Sequence, residues 1–251
     1  MQTLVAYHED VDASAGLVNI AAVVDPHVRT LGDYIYVPEQ ASMLLGAYAF
    51  GVTPLLAQLR SPSIRTLFHQ ELTPMGAAVI PSTPQQLYDC FDDPIPLLGA
   101  EPMEALMQAG AAAQHNSVIV ILGDGKVTYV SGDIRTIRAT TTVAAVAGAW
   151  TNVPLIFADT LPSGRYQLVG MKGQSTTMLA CRALVPGQYL RPGVLGQQAA
   201  NDIQLQRFRR GWMGVLGEFM HDNPPTIDIL CNAADAANTM SFWLDLIYLG
   251  K

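Results

Sequence analysis

Charge is what this chain has least of. Of 251 residues only 14% are Asp, Glu, Lys or Arg, while half are hydrophobic. A typical soluble domain carries about 25% charged residues. So sparse a charge implies that some of the surface is meant for something other than water, and contact between subunits is the commonest reason. Long apolar runs are missing too. None approaches the ~20 residues that span a bilayer as a helix, so no transmembrane segment is expected. Residues 1–16 include His8, Glu9, Asp10 and Asp12 and lack a basic, then apolar, leader pattern, so no signal peptide is expected. Cysteine is scarce: Cys90, Cys181 and Cys231 are an odd number without close spacing. Nothing in that pattern suggests a disulfide scaffold or a zinc site. Cys181 and Cys231 lie in apolar runs and read as buried thiols in a reducing, intracellular folding environment.

Catalytic motifs are also wanting. Gly125-Lys126 is followed by Val127, not Ser or Thr, so it is no phosphate loop. Gly211-Trp-Met-Gly214-Val-Leu-Gly217 lacks the dinucleotide spacing and suits close backbone packing at a bend. Gly173-Gln-Ser175 lacks the second glycine of a nucleophile elbow. The five histidines are scattered, with no pair at i, i+4. Asp89, Asp92 and Asp93 form an acidic cluster that could hold calcium through oxygen ligands; a solvated loop is the default. Trp150, Trp212 and Trp243, with Tyr166 and Tyr189, are expected in cores or interfaces, with a sugar platform as the alternative. No catalysis and no cofactor are expected.

What is present is β pattern. Leu4–Tyr7, Leu17–Val24 and Tyr34–Val37 are short β-rich runs. From residue 117 onward the runs multiply: 118–122 and 127–130 read as a hairpin about Gly123–Lys126, followed by 134–147, 155–158, 165–169, 176–185 and 226–231, all separated by Gly/Pro turns. The last run alternates strictly. Met240, Phe242, Leu244, Leu246 and Tyr248 face one way; Trp243, Ile247 and Leu249 face the other, with Ser241 and Asp245. Apolar residues on both faces predict a strand covered on both sides. Phe242, Trp243, Leu244, Leu246, Ile247 and Tyr248 are thus expected to close the core. Two segments change period. Leu44, Ala47, Tyr48, Val52, Leu55, Leu56 and Leu59 fall at helical spacing, ended by Ser61-Pro62, and predict a helix near 40–60. Pro102, Met103, Leu106, Met107 and Gly110 predict another near 101–114. Between them, 73–102 is a long Pro-rich connection, too apolar for a free loop.

Charge is distributed unevenly. Residues 1–104 hold twelve acids against three arginines; residues 105–251 hold nine acids against eleven bases. Arg182, Arg191, Arg207, Arg209 and Arg210 cluster in sequence with one acid, Asp202, among them. They are the candidate interface, toward the acidic half of a neighbouring subunit, lipid headgroups or nucleic acid.

The stretches Gly164-Arg-Tyr-Gln-Leu-Val-Gly170, Ala180-Cys-Arg-Ala-Leu-Val-Pro-Gly187, Arg191-Pro-Gly193 and Pro224-Pro-Thr-Ile-Asp-Ile-Leu230 give the chain the style of jelly-roll virion coat proteins, which the second half resembles. The basic N-terminal arm of many such coats is missing, and the chain is short for two full jelly rolls in tandem. The resemblance implies a mainly β, jelly-roll sandwich with helical insertions: one compact domain over 1–251, in which residues 1–116 mix strand and helix and residues 117–251 form the sandwich. It implies a self-assembling, non-catalytic shell subunit of a virus or phage. Such a subunit folds in the host cytoplasm, resides in the virion and contacts copies of itself and other virion proteins. The alternative is a carbohydrate-binding or glycan-hydrolysing β-sandwich protein.

Overall fold

The computed structural model describes residues 1–11, 16–50, 54–68, 72–75, 77–78, 87–109, 114–197, 207–237 and 239–251. Strands dominate them. The one α-helix among them, Pro62–Phe68, has seven residues. Contacts divide the chain into two compact units, one of Leu4–Lys126 and one of Met1–Thr3 with Val127–Lys251. The division after Lys126 follows the strand Gln114–Gly123, which spans the 116/117 boundary expected from sequence.

The first unit holds two sheets of six strands. One runs in the order Gln2–Val11, Gln114–Gly123, Met43–Phe50, Ile95–Pro96, with Ala77–Ala78 and Tyr88–Asp89 also on Met43–Phe50. The other runs Thr30–Leu31, Tyr34–Tyr36, Pro102–Ala109, Pro54–Arg60, Leu72–Met75, with Val18–Ile20 also on Pro102–Ala109. The buried Tyr7 hydroxyl, from the first sheet, donates to the Met103 carbonyl in the second at 2.7 Å.

Both expected helices are strands. Leu44 through Phe50 are all buried, so this strand is apolar at every position and its residues fit a helical period as well as any other. In Pro102–Ala109, Met103, Ala105 and Met107 are buried while Pro102 is exposed, and Pro102 opposes Tyr36 at the strand's first position, where its missing N–H is tolerated. Ser61-Pro62 starts a helix instead of ending one. The Ser61 hydroxyl accepts the Ile64 N–H at 3.4 Å, Pro62 takes the first helical position, and the Glu101 carboxylate accepts both the N–H and the hydroxyl of Ser63. The Pro-rich connection contains the short strands Leu72–Met75, Ala77–Ala78, Tyr88–Asp89 and Ile95–Pro96; residues 76 and 79–86 lie outside the described residues, as do Val52 and Gly110 of the expected helices.

The second unit is one sheet of nine strands. Its order is Thr151–Val153, Thr226–Cys231, Met178–Leu184, Gly193–Gln197, Arg165–Gln174, Ser241–Gly250, Ile134–Thr140, Ile156–Phe157, with Gly217–Met220 also on Arg165–Gln174. Pairs are antiparallel except Arg165–Gln174 with Gly193–Gln197. The two units together make the chain mainly β, consistent with a sandwich or jelly-roll class. The expected hairpin is absent: Val127–Val130 forms no strand, and the Val130 N–H donates to the Gly211 carbonyl at 3.0 Å. The expected strand 134–147 stops at Thr140.

The C-terminal strand does sit inside the sheet, between Ile134–Thr140 and Arg165–Gln174. Phe242, Leu244 and Leu246 are buried on one face. The other face departs from expectation. Trp243 and Ile247 are half-buried there; Tyr248, expected on the first face to close the core, is exposed, its ring 5.2 Å from that of Tyr166 and its hydroxyl donating to the Ser163 carbonyl. The register shifts against Arg165–Gln174 at Arg165/Tyr166 and at Leu168/Gly170 are bulges that re-aim side chains here.

Candidate functional site

Of the three buried carboxylates among the described residues of the second unit, Asp228, Asp235 and Asp245, the first and last gather arginines around them. Asp228 lies in the middle of the apolar strand Thr226–Cys231, cross-strand from Arg182 on one side and Asn152 on the other. Arg182, fully buried, donates through Nε to Asp228 at 3.1 Å, and Arg191 Nη1 pairs with the same oxygen. Asn152 donates to the second oxygen at 3.0 Å. The Arg182 guanidinium also lies 4.0 Å from the centre of the Trp150 ring. A charge this deep is tolerable only with a partner and hydrogen bonds, and one carboxylate supplies both for two strands and the loop that bears Arg191.

Asp245 is the second centre. Its carboxylate is buried and accepts Arg209 Nε at 2.8 Å, Arg209 Nη2 at 3.0 Å, the Arg210 backbone N–H at 2.8 Å and the Thr136 hydroxyl at 2.6 Å. Burial alone would push this carboxyl up. The donors outweigh it and hold the group below the ordinary carboxylate value. Gly170 opposes Asp245 because a Cβ there would come within 2.6 Å of the carboxylate. The segment so held, Arg209–Gly214, places Arg210 at φ 52° and Gly211 at φ 83°.

The five arginines grouped by sequence therefore do not share one surface. Arg182 and Arg191 are buried on Asp228, and Arg209 is held by Asp245. Arg207 is half-buried and Arg210 exposed. Only the last is exposed; two residues on, Trp212 forms an exposed aromatic pair with Tyr129, ring centres 5.5 Å apart. Sequence reasoning missed the reason for Arg182 and Asp228. The signal was present: a lone arginine and a lone aspartate, each in the middle of an apolar strand.

A groove of about 260 Å³ opens at one end of the sheet, lined by Arg138, Gln174, Ser175, Thr176, Thr239, Ser241 and Trp243. Arg138, Trp243 and Lys172 are cross-strand neighbours, and both cations lie over the indole, 5.9 and 4.5 Å from its centre. In the first unit a cleft of about 430 Å³ is lined by Tyr34, Arg60, Ser61, Arg65, Pro102 and Glu104. It collects two of the three arginines of residues 1–104, and Arg60 faces Glu104 at 4.0 Å. Asp89 accepts the Phe91 N–H, a local turn bond. Among the described residues no group of three or more His, Cys, Asp or Glu side chains converges to hold a metal. Cys90, Cys181 and Cys231 are buried free thiols, and burial raises each of them, Cys90 and Cys231 to about 11. No helix of the described residues is long and apolar enough to cross a membrane.

Comparison with known protein families and with curated proteins returns no match. Among solved structures the chain is similar to the major capsid protein P2 from bacteriophage PM2, at 9% identity and a TM-score of 0.28, with all of both chains covered. A likeness of that size carries neither a fold nor a function.

Proposed function

We propose that this chain is a structural subunit of a virus or phage shell, a coat protein that self-assembles. The observation that carries the reading is large apolar side chains standing in solvent on both units of a chain with little charge. Val24, Leu31 and Leu98 are exposed on the first unit; Tyr129, Tyr189 and Trp212 are exposed on the second. Scattered singly such residues mean little, but Tyr129 and Trp212 are paired, and Trp212 is two residues from exposed Arg210, residue types that anchor protein interfaces. Two β units in one chain, with buried ion networks stiffening the second, suit a shell subunit of the sandwich or jelly-roll kind.

Charge supports the same reading. Residues 4–126 hold thirteen acids against four bases, a balance of −9; residues 1–3 and 127–251 hold eight acids against ten bases, a balance of +2. Opposite signs favour contact between the second unit of one copy and the first unit of the next, a heterologous arrangement that extends into rings or shells. The partners are copies of this chain and other virion proteins, with nucleic acid or lipid at the basic unit, and the location is the virion.

The test is particle yield by negative-stain electron microscopy for the unaltered chain and for a Tyr129→Ser, Trp212→Ser, Arg210→Glu variant. Particles from the first, few or none from the second, and equal melting temperatures for both support the reading. Equal yields remove this surface from it.

A further inference from the structure

We propose that the groove at the Trp243 end of the second unit binds a carboxylate-bearing saccharide, with Arg138 as the residue that recognises the carboxylate. The inference does not depend on shell assembly; it rests on which donors the groove leaves uncommitted. Arg138 is exposed, lies over the Trp243 ring, and donates to the Ser241 hydroxyl at 3.1 Å. No acidic side chain of the described residues lies within ion-pair distance of it, in a unit where Arg182, Arg191 and Arg209 each have a carboxylate. A guanidinium held by an indole and one hydroxyl keeps its remaining N–H fork for a planar carboxylate, and the ordering needed to grip it is already done.

The rest of the lining suits hydroxyls more than a bare ion. The Gln174 amide and the Thr176 hydroxyl make no hydrogen bond within the described protein, and both line the groove with Ser241. An amide and hydroxyls donate and accept alike, which is what a polyol ring requires. The buried Lys172 ammonium adds positive potential beneath the indole. One negative group stands nearby: Asp235, whose carboxylate accepts the Thr177 hydroxyl at 2.8 Å and also bonds the Thr239 hydroxyl. Ser175, in the lining with Thr239, also hydrogen-bonds this carboxylate, so its lone pairs are already met by hydroxyl donors. The volume, about 260 Å³, has room for one sugar residue.

Titration of the full chain with glucuronic acid, followed by indole fluorescence and calorimetry, tests this. The expected result is saturable binding with a dissociation constant on the order of 1 mM, the range open to a ligand of about a dozen heavy atoms. Glucose should bind at least tenfold more weakly. Arg138→Gln should weaken glucuronate by tenfold or more and leave glucose unaffected, with an unchanged melting temperature, since Arg138 is exposed. Trp243→Phe serves as a second variant, expected to lose the fluorescence signal while calorimetry still reports binding. Absence of saturable glucuronate binding overturns the proposal. So does equal affinity for glucose and glucuronate, or for the unaltered chain and Arg138→Gln. Tighter binding of a ribonucleotide than of glucuronate also overturns it, in favour of a phosphate site.

Discussion

Among single residues of the second unit, Asp228 holds Arg182 and Arg191 in ion pairs and Asp245 holds Arg209. Asp228 neutralises two guanidiniums at once, so Asp228→Asn leaves buried positive charge without its counterion. Breaking a buried ion pair from one side costs about 3–5 kcal/mol, and denaturant unfolding should show a loss of that order. Replacing exposed Arg210 by Gln should cost little by the same measurement. Asp245 gives a pH dependence. Its folded-state value lies below the unfolded one, so its contribution is fully present above the unfolded value of about 3.9 and fades as pH falls through the lower folded value. Melting temperature should therefore drop steeply below pH about 4. Asp245→Asn should lower it at pH 7 and flatten the acid limb. A mutant whose acid limb matches that of the unaltered chain contradicts the assignment. The Asp245 network also changes what an arginine experiment can ask: Arg209→Glu sets a second carboxylate against a buried one, whereas Arg210→Glu tests the surface alone. The buried thiols give one more expected outcome. Raised values and burial make all three cysteines slow toward a thiol reagent at pH 8 and fast after unfolding.

Among the strands, alternation was legible in the sequence and uniform burial was not. Thr226–Cys231 was readable because Ile227, Ile229 and Cys231 alternate with Thr226 and Asp228, although the strand is buried at every position after Thr226. The C-terminal strand was readable from Phe242, Leu244 and Leu246. Met43–Phe50 was not, because a strand buried on both faces has no period to detect. Pro102 misled in the same way, since the first position of a strand and the first turn of a helix tolerate proline equally. The buried ion network was invisible as a network, because nothing local says that Arg182, Arg191, Asn152 and Asp228 meet. The C-terminal strand is flanked on both edges, so deleting residues 239–251 removes the partner of Ile134–Thr140 and of Arg165–Gln174 together. Loss of Phe242, Leu244 and Leu246, at about 1.5–3 kcal/mol each, is comparable to the ~5–15 kcal/mol that stabilises a whole domain. The truncated chain should lose its cooperative unfolding transition in calorimetry. Gly211→Ala should damage the held loop, because its Cβ would sit 1.8 Å from the Val130 carbonyl oxygen at φ 83°; a drop in melting temperature checks it.

For the molecule as a whole, the proposed self-assembly rests on sparse charge, on exposed apolar side chains in both units and on the opposite charges of the two units. Of the groove at Trp243 only the tryptophan stood out in the sequence, since the lining comes from three separate stretches. If contact between units of unlike charge drives assembly, raising salt well above physiological strength shortens the screening length below about 8 Å and should lower particle yield. The mass of the purified chain in solution is the sharpest check on self-assembly. Sedimentation velocity and light scattering at micromolar concentration and low salt should report large closed particles or rings, with little material at 27.0 kDa. A stable, soluble 27.0 kDa monomer under those conditions, indifferent to salt and concentration, would contradict it.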